Sequence, residues 1–234
     1  MRRLQRSAGP ELLDGSGHDR AQLARSLRHV GAVDRWLGGA RALRRHLTDV
    51  AAPAREPLRV LDVGTGDGSV LRRLARWLAA RRGSDVVAVG AELHPEVLAV
   101  AVGERDGAGI VRLVRADVRA LPFADDAFDV VVSTLTLHHF AADEAVRVLR
   151  EMARVARGRV LVGDLERSRL HHLGARLLAA TVWRRDPITR HDGPLSVLRS
   201  FTAPELEELG RQAGLRRLRV RRHVPFRLVL DAHP

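Results

Sequence analysis

The sequence of 234 residues contains no cysteine, and tyrosine, lysine and asparagine are absent as well. Without cysteine the chain cannot form disulfides or a thiolate metal site. No run of residues approaches the roughly 20 apolar positions of a membrane-spanning helix, and the N-terminal stretch MRRLQRSAGP lacks the apolar segment of a secretory signal. We therefore expect a soluble, cytoplasmic protein of a size that suits one compact domain with an additional N-terminal segment.

The basic charge is a weak argument for nucleic-acid binding. The formal net charge is +12 and the isoelectric point is near 11.6. However, isoleucine occurs only at Ile110 and Ile188, and the scarcity of residues with A/T-rich codons indicates a GC-rich genome, in which basic residues become arginines. The arginines are spread along the chain and are not interleaved with aromatic residues, as a base-stacking surface requires. An RNA-binding module therefore remains an alternative that the composition does not favour.

From residue 57 onward, short apolar strands alternate with amphipathic helices. The strands are predicted in LRVLDVG, DVVAVGAE, IVRLVRAD, FDVVVSTLT and RVLVGDLE. The helices are predicted from Ser69 to Arg82, from Pro95 to about Glu104, and from Asp143 to about Ala156, where Gly158 ends the last of them. This alternation predicts an α/β fold, Rossmann-like and doubly wound, with a mostly parallel sheet of seven strands.

The two ends of the chain differ from this alternating core. Thr202 is a candidate N-cap for a helix that ends near Gly214, and the segments LRRLRVRRHV and PFRLVLDA after it are separated by a turn too short for a crossover helix. They should pair as an antiparallel C-terminal hairpin. The N-terminal segment should be helical from about Asp19 to Val50 with a break at Gly38, so we predict an N-terminal helical cap (1–50) before the main domain (51–234).

Three alternate glycines follow the first predicted strand in RVLDVGTGDGS. In parallel sheets such a loop contacts the ligand, and glycine lets that ligand lie against the main chain. A dinucleotide fingerprint starting at Gly64 requires a glycine at the position of Ser69, but the third glycine is Gly68. Asp62 also suits a ligand with an ammonium group better than a pyrophosphate. A nicotinamide-dependent oxidoreductase therefore remains the less favoured alternative.

Three motifs in this order, VLDVGTGDG, VVAVGAELHPEVL and VRADVRALPFADDAFDVVVSTLTLHHF, resemble those of class I S-adenosylmethionine-dependent methyltransferases, particularly the small-molecule group with type 11-like domains. The resemblance implies an enzyme that uses S-adenosyl-L-methionine and releases S-adenosyl-L-homocysteine. It also implies that Asp62 lies near the methionine moiety, that Glu92 accepts hydrogen bonds from the ribose hydroxyls, and that Asp117 binds the adenine amino group beside the Val118 amide. The other predicted cofactor-binding residues are Gly64, Thr65, Gly66, Gly68, Leu93, Ser133 and Thr134.

Methyl transfer from a sulfonium is an in-line displacement, so a general base helps only where the acceptor must lose a proton. His138 and His139 follow the fourth strand and are candidate bases, with a slight preference for His139, because we expect only one of two adjacent side chains to face inward. His191 is a further candidate in a stretch predicted to be irregular. His171 and His172 are predicted on a helix in solvent or packing roles. No metal site is predicted, because no metal-binding motif occurs.

The resemblance favours a small-molecule acceptor, with methylation of a phenolic or enolic oxygen in bacterial secondary metabolism. Carbon methylation of a quinone-like or polyketide ring is the close alternative. The residues leave a monomer and a homodimer equally open.

Overall fold

A computed structural model describes residues 4–15, 17–103 and 111–234. Seven strands in these residues form one sheet in the order β3-β2-β1-β4-β5-β7-β6. The strands are β1 Leu58–Val63, β2 Val86–Glu92, β3 Val111–Arg115, β4 Phe128–Thr134, β5 Ala156–Leu165, β6 Arg216–His223 and β7 Arg227–His233. The first five are parallel, and β7 runs antiparallel to both β5 and β6. The predicted Rossmann-like sheet and its antiparallel C-terminal hairpin are thus confirmed.

Helices cover both faces of this sheet. They are α1 Arg20–Trp36, α2 Gly39–Arg45, α3 Ser69–Arg82, α4 Pro95–Gly103, α5 Ala142–Val155, α6 Arg169–Ala180, α7 Pro187–Arg199 and α8 Ala203–Gln212. Leucines of α2 and α3 pack on one face, and apolar residues of α5 and α8 pack on the other. Strand order reverses between β1 and β4, so the carboxyl ends of these strands flank the crevice in which such sheets bind ligands.

The predicted helix boundaries hold where local sequence signals are strong. Helix α3 spans the predicted residues, and Gly83 ends it in the left-handed conformation at φ 67°. Thr202 precedes α8 and forms a capping box with Glu205, whose carboxylate accepts a hydrogen bond from the Thr202 backbone N–H at 2.8 Å.

Gly158 does not end a helix as predicted. Helix α5 ends at Val155 and β5 begins at Ala156, so Gly158 lies within the strand. A Cβ atom at this position would lie 2.7 Å from the carbonyl oxygen of Asp129 on β4. Close packing of β5 against β4 therefore requires glycine at this position. The rule that a glycine ends a helix gives the wrong prediction here.

Two further boundaries differ from prediction. The second N-terminal helix ends at Arg45, short of Val50. The stretch containing His191, predicted to be irregular, is helix α7, because Asp186 caps its first turn through the Thr189 N–H and Pro187 occupies its first position. The predicted helix end at Glu104 and the predicted strand start at Ile110 lie outside the described residues.

The N-terminal segment is fastened to α7 by two buried aspartates. The Asp186 carboxylate accepts a hydrogen bond from Ser26 Oγ on α1 at 2.9 Å, and His29 Nδ1 lies 2.8 Å from it. Asp192 accepts hydrogen bonds from the backbone N–H groups of Leu12 and Leu13, at 2.8 and 2.9 Å. Helix α1 and the residues before it are thereby held over the carboxyl edge of the sheet.

None of the described helices combines the length and the apolar character needed to cross a bilayer.

Candidate active site

The three glycines after β1 have three different structural roles, although all have positive φ. A Cβ atom at Gly64 would lie 2.4 Å from Thr136 Cγ2, so this glycine allows two loops to approach each other. Gly68 is the N-cap residue before α3, and a Cβ there would meet Arg72 Nη1 at 3.0 Å. At Gly66, no described atom lies within 4 Å of such a Cβ. Gly66 is therefore the glycine whose missing side chain leaves open space in front of the main chain.

Glu92, the last residue of β2, holds this loop in place. One carboxylate oxygen, Oε2, accepts a hydrogen bond from the Gly66 N–H at 3.0 Å, and Oε1 accepts one from the His94 N–H at 3.0 Å. The residue is buried. Each carboxylate oxygen can accept more than one hydrogen bond. Glu92 can therefore accept hydroxyl groups of a ligand while it orders the loop.

A cavity of about 200 Å³, here called the loop cavity, opens in front of the glycine loop. It lies at the carboxyl ends of β1, β2 and β4. Eight of the predicted cofactor-binding residues line it, namely Gly64, Thr65, Gly66, Glu92, Leu93, Asp117, Val118 and Thr134. The structure thus brings together residues that are up to 70 positions apart in the sequence.

Asp62 and Ser133, also predicted to bind the cofactor, lie behind the described wall of the loop cavity. Ser133 is buried on β4, and its hydroxyl donates a hydrogen bond to the Val63 carbonyl at 2.8 Å. Asp62 Oδ2 accepts a hydrogen bond from Thr65 Oγ1 at 2.8 Å, whereas Oδ1 is buried and has no hydrogen-bond partner among the described residues. Burial raises the pKa of Asp62 to about 7. Gly68, the N-cap residue before α3, likewise lies outside this wall.

Asp117 carries its own cationic partner. Arg119 Nη2 lies 2.9 Å from Asp117 Oδ2, and this hydrogen bond holds the pKa of Asp117 below its usual value. Arg119 also lines the loop cavity and contacts Glu144 through Nη1 at 3.0 Å. Asp117 is therefore an ionised acceptor at the cavity, and a ligand amino group would share it with Arg119. The sequence analysis did not include Arg119 in the site, although its position two residues after Asp117 suggests such a contact.

A second cavity of about 340 Å³, here called the helix cavity, lies between the carboxyl edge of the sheet and helices α1, α6 and α7. Its wall is largely apolar and includes Leu165, Ala175, Leu178, Trp183, Ile188 and Val197. Four residues, Leu13, Val30, Leu135 and His139, line both cavities. The loop cavity and the helix cavity therefore adjoin. Leu135, at this junction, has φ 56°, a conformation that leucine rarely adopts.

His138 is buried in the wall of the helix cavity and is held by Asp164 of β5. Its Nδ1 lies 2.7 Å from Asp164 Oδ1, and its backbone N–H donates to Oδ2 at 3.1 Å. Burial alone would raise the pKa of Asp164, but the charge and the hydrogen bond of His138 outweigh it and lower that pKa. The hydrogen bond to Asp164 places a proton on Nδ1, so in the neutral form of His138 the lone pair is on Nε2.

His139 stacks on His138, with ring centroids 4.4 Å apart, and lines both cavities. The expectation that only one of the two faces inward is therefore wrong, because the 3₁₀ turn Leu137–His139 directs both rings to the same wall. Nδ1 of His139 lies 2.9 Å from Asp14 Oδ1. Burial opposes protonation of His139, but the hydrogen bond to Asp14 and the charges of Glu11 and Asp14 outweigh it and raise its pKa. This favours the imidazolium form of His139.

Glu11 is a buried carboxylate at this wall that the sequence analysis missed, since no motif surrounds it. Its Oε1 lies 3.6 Å from His138 Nε2 and 3.6 Å from Arg199 Nε, and it accepts a hydrogen bond from Ser196 Oγ at 3.0 Å. Ligand atoms of Glu11, His138 and His139 all lie within 4.8 Å of one another, a separation at which a metal ion can be held. The prediction of no metal stays a prediction.

His191 and His171 differ in their relation to the helix cavity. His191 lies on α7 with its Nδ1 2.7 Å from Asp192 Oδ1, and it is half exposed, outside the described lining of both cavities. His171 lies on α6 as predicted, but it is buried, lines the helix cavity and stacks on Phe226 with centroids 4.7 Å apart. The sequence indicated a packing role for His171, and the helix periodicity alone does not reveal the cavity beside it.

Comparison with known proteins agrees with this geometry. A family profile described as a methyltransferase domain matches residues 61–162, which span the glycine loop, Glu92, Asp117 and the histidine pair. A demethylmenaquinone methyltransferase of Thermus thermophilus is 38% identical over 138 residues, covering 58% of this chain and 56% of that protein. Residues 61–162 of the chain are thus similar to a methyltransferase domain, and this segment contains the glycine loop. It spans about half the length of the curated relatives that it matches.

Solved structures show that the methyltransferase fold extends beyond the matched segment. An S-adenosylmethionine-dependent methyltransferase from Aquifex aeolicus has a TM-score of 0.63 at 18% identity and covers 92% of this chain and 98% of that chain. Human N-acetylserotonin methyltransferase, solved in complex with S-adenosylmethionine, has a TM-score of 0.65 at 16% identity, with 92% of this chain and 55% of that one covered. At these identities the likeness establishes the fold of this chain alone, and the function is argued from the site.

Proposed function

We propose that this protein transfers the methyl group of S-adenosylmethionine to a small, largely apolar acceptor. The observation that carries the proposal is the junction of two cavities of different chemistry. The loop cavity presents bare main chain and carboxylates, whereas the helix cavity is mostly apolar, and His139 and Leu135 line both. Methyl transfer requires a sulfonium and its nucleophile in line and in contact, and two adjoining cavities provide such a geometry.

The residues of the loop cavity fit the cofactor. Glu92 has acceptor capacity left for ribose hydroxyls, and Asp117 is an ionised acceptor for the adenine amino group. The open space at Gly66 admits the nucleoside against the main chain. Asp62, with one buried and unpartnered oxygen, lies behind the loop and would ionise when the positive charge of the cofactor binds. When bound, S-adenosylmethionine supplies an electrophilic methyl group on a positively charged leaving group.

His138 is the base that the geometry favours, in place of the preference for His139 drawn from the sequence. Asp164 fixes the His138 tautomer and leaves Nε2 at the helix cavity, whereas the raised pKa of His139 makes that imidazole less available as a proton acceptor. His138 Nε2 would take the proton of an acceptor hydroxyl as the oxygen attacks. His139, at the junction, would donate a hydrogen bond and help to exclude water.

We propose a phenolic or enolic hydroxyl as the methylated group, because a base held by a carboxylate is useful where an acceptor has a proton to lose. Methylation of ring carbon in a quinone-like acceptor is the second candidate, which the similarity to the Thermus demethylmenaquinone methyltransferase favours. Both reactions would use the same base, because removal of a hydroxyl proton from the reduced, hydroquinone form activates the adjacent carbon. After methyl transfer the oxygen is reprotonated, and the methylated carbon loses its own proton to the base.

Two measurements test the proposal. Calorimetry should show binding of S-adenosylmethionine and S-adenosylhomocysteine and none of NAD or NADP; dinucleotide binding without nucleoside binding would contradict it. Incubation of extracts of the source organism with methyl-labelled cofactor should then yield a labelled small molecule. Carbon-13 chemical shifts separate a methyl ether from a methyl group on ring carbon. A labelled RNA as the sole product would replace the proposed acceptor class.

A further inference from the structure

The first residue of β7, Arg227, places a buried cation at the helix cavity. The residue is 2% exposed, and Nε, Nη1 and Nη2 of its guanidinium make no hydrogen bond to any described residue. Burying a charge without partners is among the costlier arrangements in a protein. A buried arginine without hydrogen bonds at a cavity wall indicates that a bound ligand supplies its hydrogen-bond partner.

The surrounding carboxylates do not supply that partner. Asp34 Oδ1 on α1 lies 3.8 Å from Arg227 Nη2, beyond hydrogen-bond distance, and Asp34 Oδ2 is already paired with Arg73 Nη2 at 2.9 Å. Asp164 also acts on Arg227 through its charge, but Arg227 donates no hydrogen bond to it. Burial lowers the pKa of Arg227, as expected for a cation removed from water, and the charges of Asp34 and Asp164 only oppose this effect.

We infer that the acceptor carries a carboxylate that binds Arg227, so that the substrate class is an aromatic or enolic hydroxy acid. The inference rests on the proposed function and narrows its acceptor. A carboxylate offers two oxygens to the planar guanidinium fork, whereas a ketone or an ester offers one neutral oxygen. The rest of the helix cavity wall, with Trp183, Ile188 and Val197, is apolar and suits a ring.

The experiment compares matched acids and amides with the full chain in the presence of S-adenosylhomocysteine. The probes are benzoate, 4-hydroxyphenylacetate and 1-hydroxy-2-naphthoate, each beside its carboxamide, and binding is measured by calorimetry. At least one acid should bind about 10- to 150-fold more tightly than its amide, as expected for hydrogen bonds to a charged group. Arg227→Gln should abolish this preference. Arg221→Gln, an exposed arginine of the same hairpin, should retain it and controls for the basic surface.

Thermal unfolding gives a second readout that does not depend on activity. Because Arg227→Met removes a buried charge that makes no hydrogen bond, at similar length, the ligand-free variant should unfold at or above the wild-type temperature. A bound acid should raise the unfolding temperature of the wild type and leave that of Arg227→Met unchanged. A clear loss of stability in Arg227→Met would show that the guanidinium has an internal partner and would overturn the inference.

The other outcomes are equally decisive. Acids that bind no better than their amides, no binding by any acid, or an acid preference that survives Arg227→Gln would each overturn the inference. Weaker S-adenosylhomocysteine binding by Arg227→Gln would assign the arginine to the cofactor and likewise overturn it. Normal cofactor binding with no preference for acids would overturn this inference but leave the proposed function intact. A preference for acids without cofactor binding would contradict methyl transfer and leave Arg227 as an anion-binding residue.

Discussion

Cofactor binding should release a proton from Asp62, and the structure gives the size of the effect. The carboxyl is buried behind the glycine loop, and burial raises its pKa to about 7. At pH 6 the carboxyl is therefore about 0.9 protonated in the ligand-free protein. S-adenosylmethionine carries one net positive charge at this pH. If the charge binds at an assumed distance of about 6 Å and the effective dielectric constant is near 20, it contributes about 2.8 kcal/mol, or about two pKa units.

Such a shift would lower the pKa of Asp62 to about 5 in the complex, so binding at pH 6 should release about 0.8 proton from this group. The assay is calorimetry at pH 6 in two buffers with different ionisation enthalpies, because the difference between the observed heats reports the protons released. Asp62→Asn retains the shape of the side chain but cannot titrate. Its proton release should be lower than that of the wild type by most of one proton.

The subtraction removes contributions from other groups at the loop cavity, such as Asp14 and His139, since these are common to both proteins. Equal proton release by the wild type and Asp62→Asn would refute the reasoning. It would show either that Asp62 is already ionised or that the positive charge binds too far away to influence it.

Further predictions concern binding, turnover and stability. Glu92→Ala should weaken S-adenosylmethionine binding by about 1.5 to 3 kcal/mol, because it loses a charged acceptor and the contact that orders Gly66; an unchanged Kd in calorimetry would remove Glu92 from the site. Gly66→Ala and Gly83→Ala both place a side chain at positive φ with open space around it, so each should cost about 1 to 2 kcal/mol of stability, but only Gly66→Ala should lose cofactor affinity. His138→Gln should lower kcat about 10²- to 10⁴-fold with little change in cofactor Kd, and unaltered turnover would mean that proximity suffices. Because the pKa of Asp62 is raised, the folded protein between about pH 4 and pH 7 keeps a proton that the unfolded chain has already lost. The stability that this proton contributes is therefore lost as the pH rises over that interval. In Asp62→Asn, the free energy of unfolding in urea should depend less on pH there.

The fold was predictable because its local signals agree with its long-range order. Apolar runs of strand length, helices of ten or more residues between them and a short Pro-containing turn before β7 together specify a parallel sheet with a terminal hairpin. The loop cavity was predictable for the same reason, since residues at the carboxyl ends of consecutive parallel strands meet at one edge. Gly158 shows the limit of such rules, because its need for close contact with Asp129 arises only once β4 and β5 pair.

The helix cavity was not predictable in this way, because its chemistry comes from tertiary contacts between distant segments. Glu11 has ordinary sequence surroundings, and its proximity to His138 exists only after the N-terminal segment docks on α7. From the sequence, Arg227 would be expected to be an exposed basic residue, because it lies in an arginine-rich hairpin. Its burial follows from the position of β7 inside the sheet, between β5 and β6, which the order of elements along the chain does not reveal.

This docking makes the N-terminal segment part of the chemistry, although it lies outside the matched methyltransferase domain. Asp14 holds His139 at the junction of the two cavities, and Glu11 faces His138 Nε2. The same segment is attached to α7 through Asp192, so α7 can move only if these contacts break. Helix α7 also forms a wall of the helix cavity. The contacts of the N-terminal segment therefore set both the position of the histidine pair and the shape of the proposed acceptor site. A substrate that reshaped the helix cavity would therefore also change the environment of the proposed base.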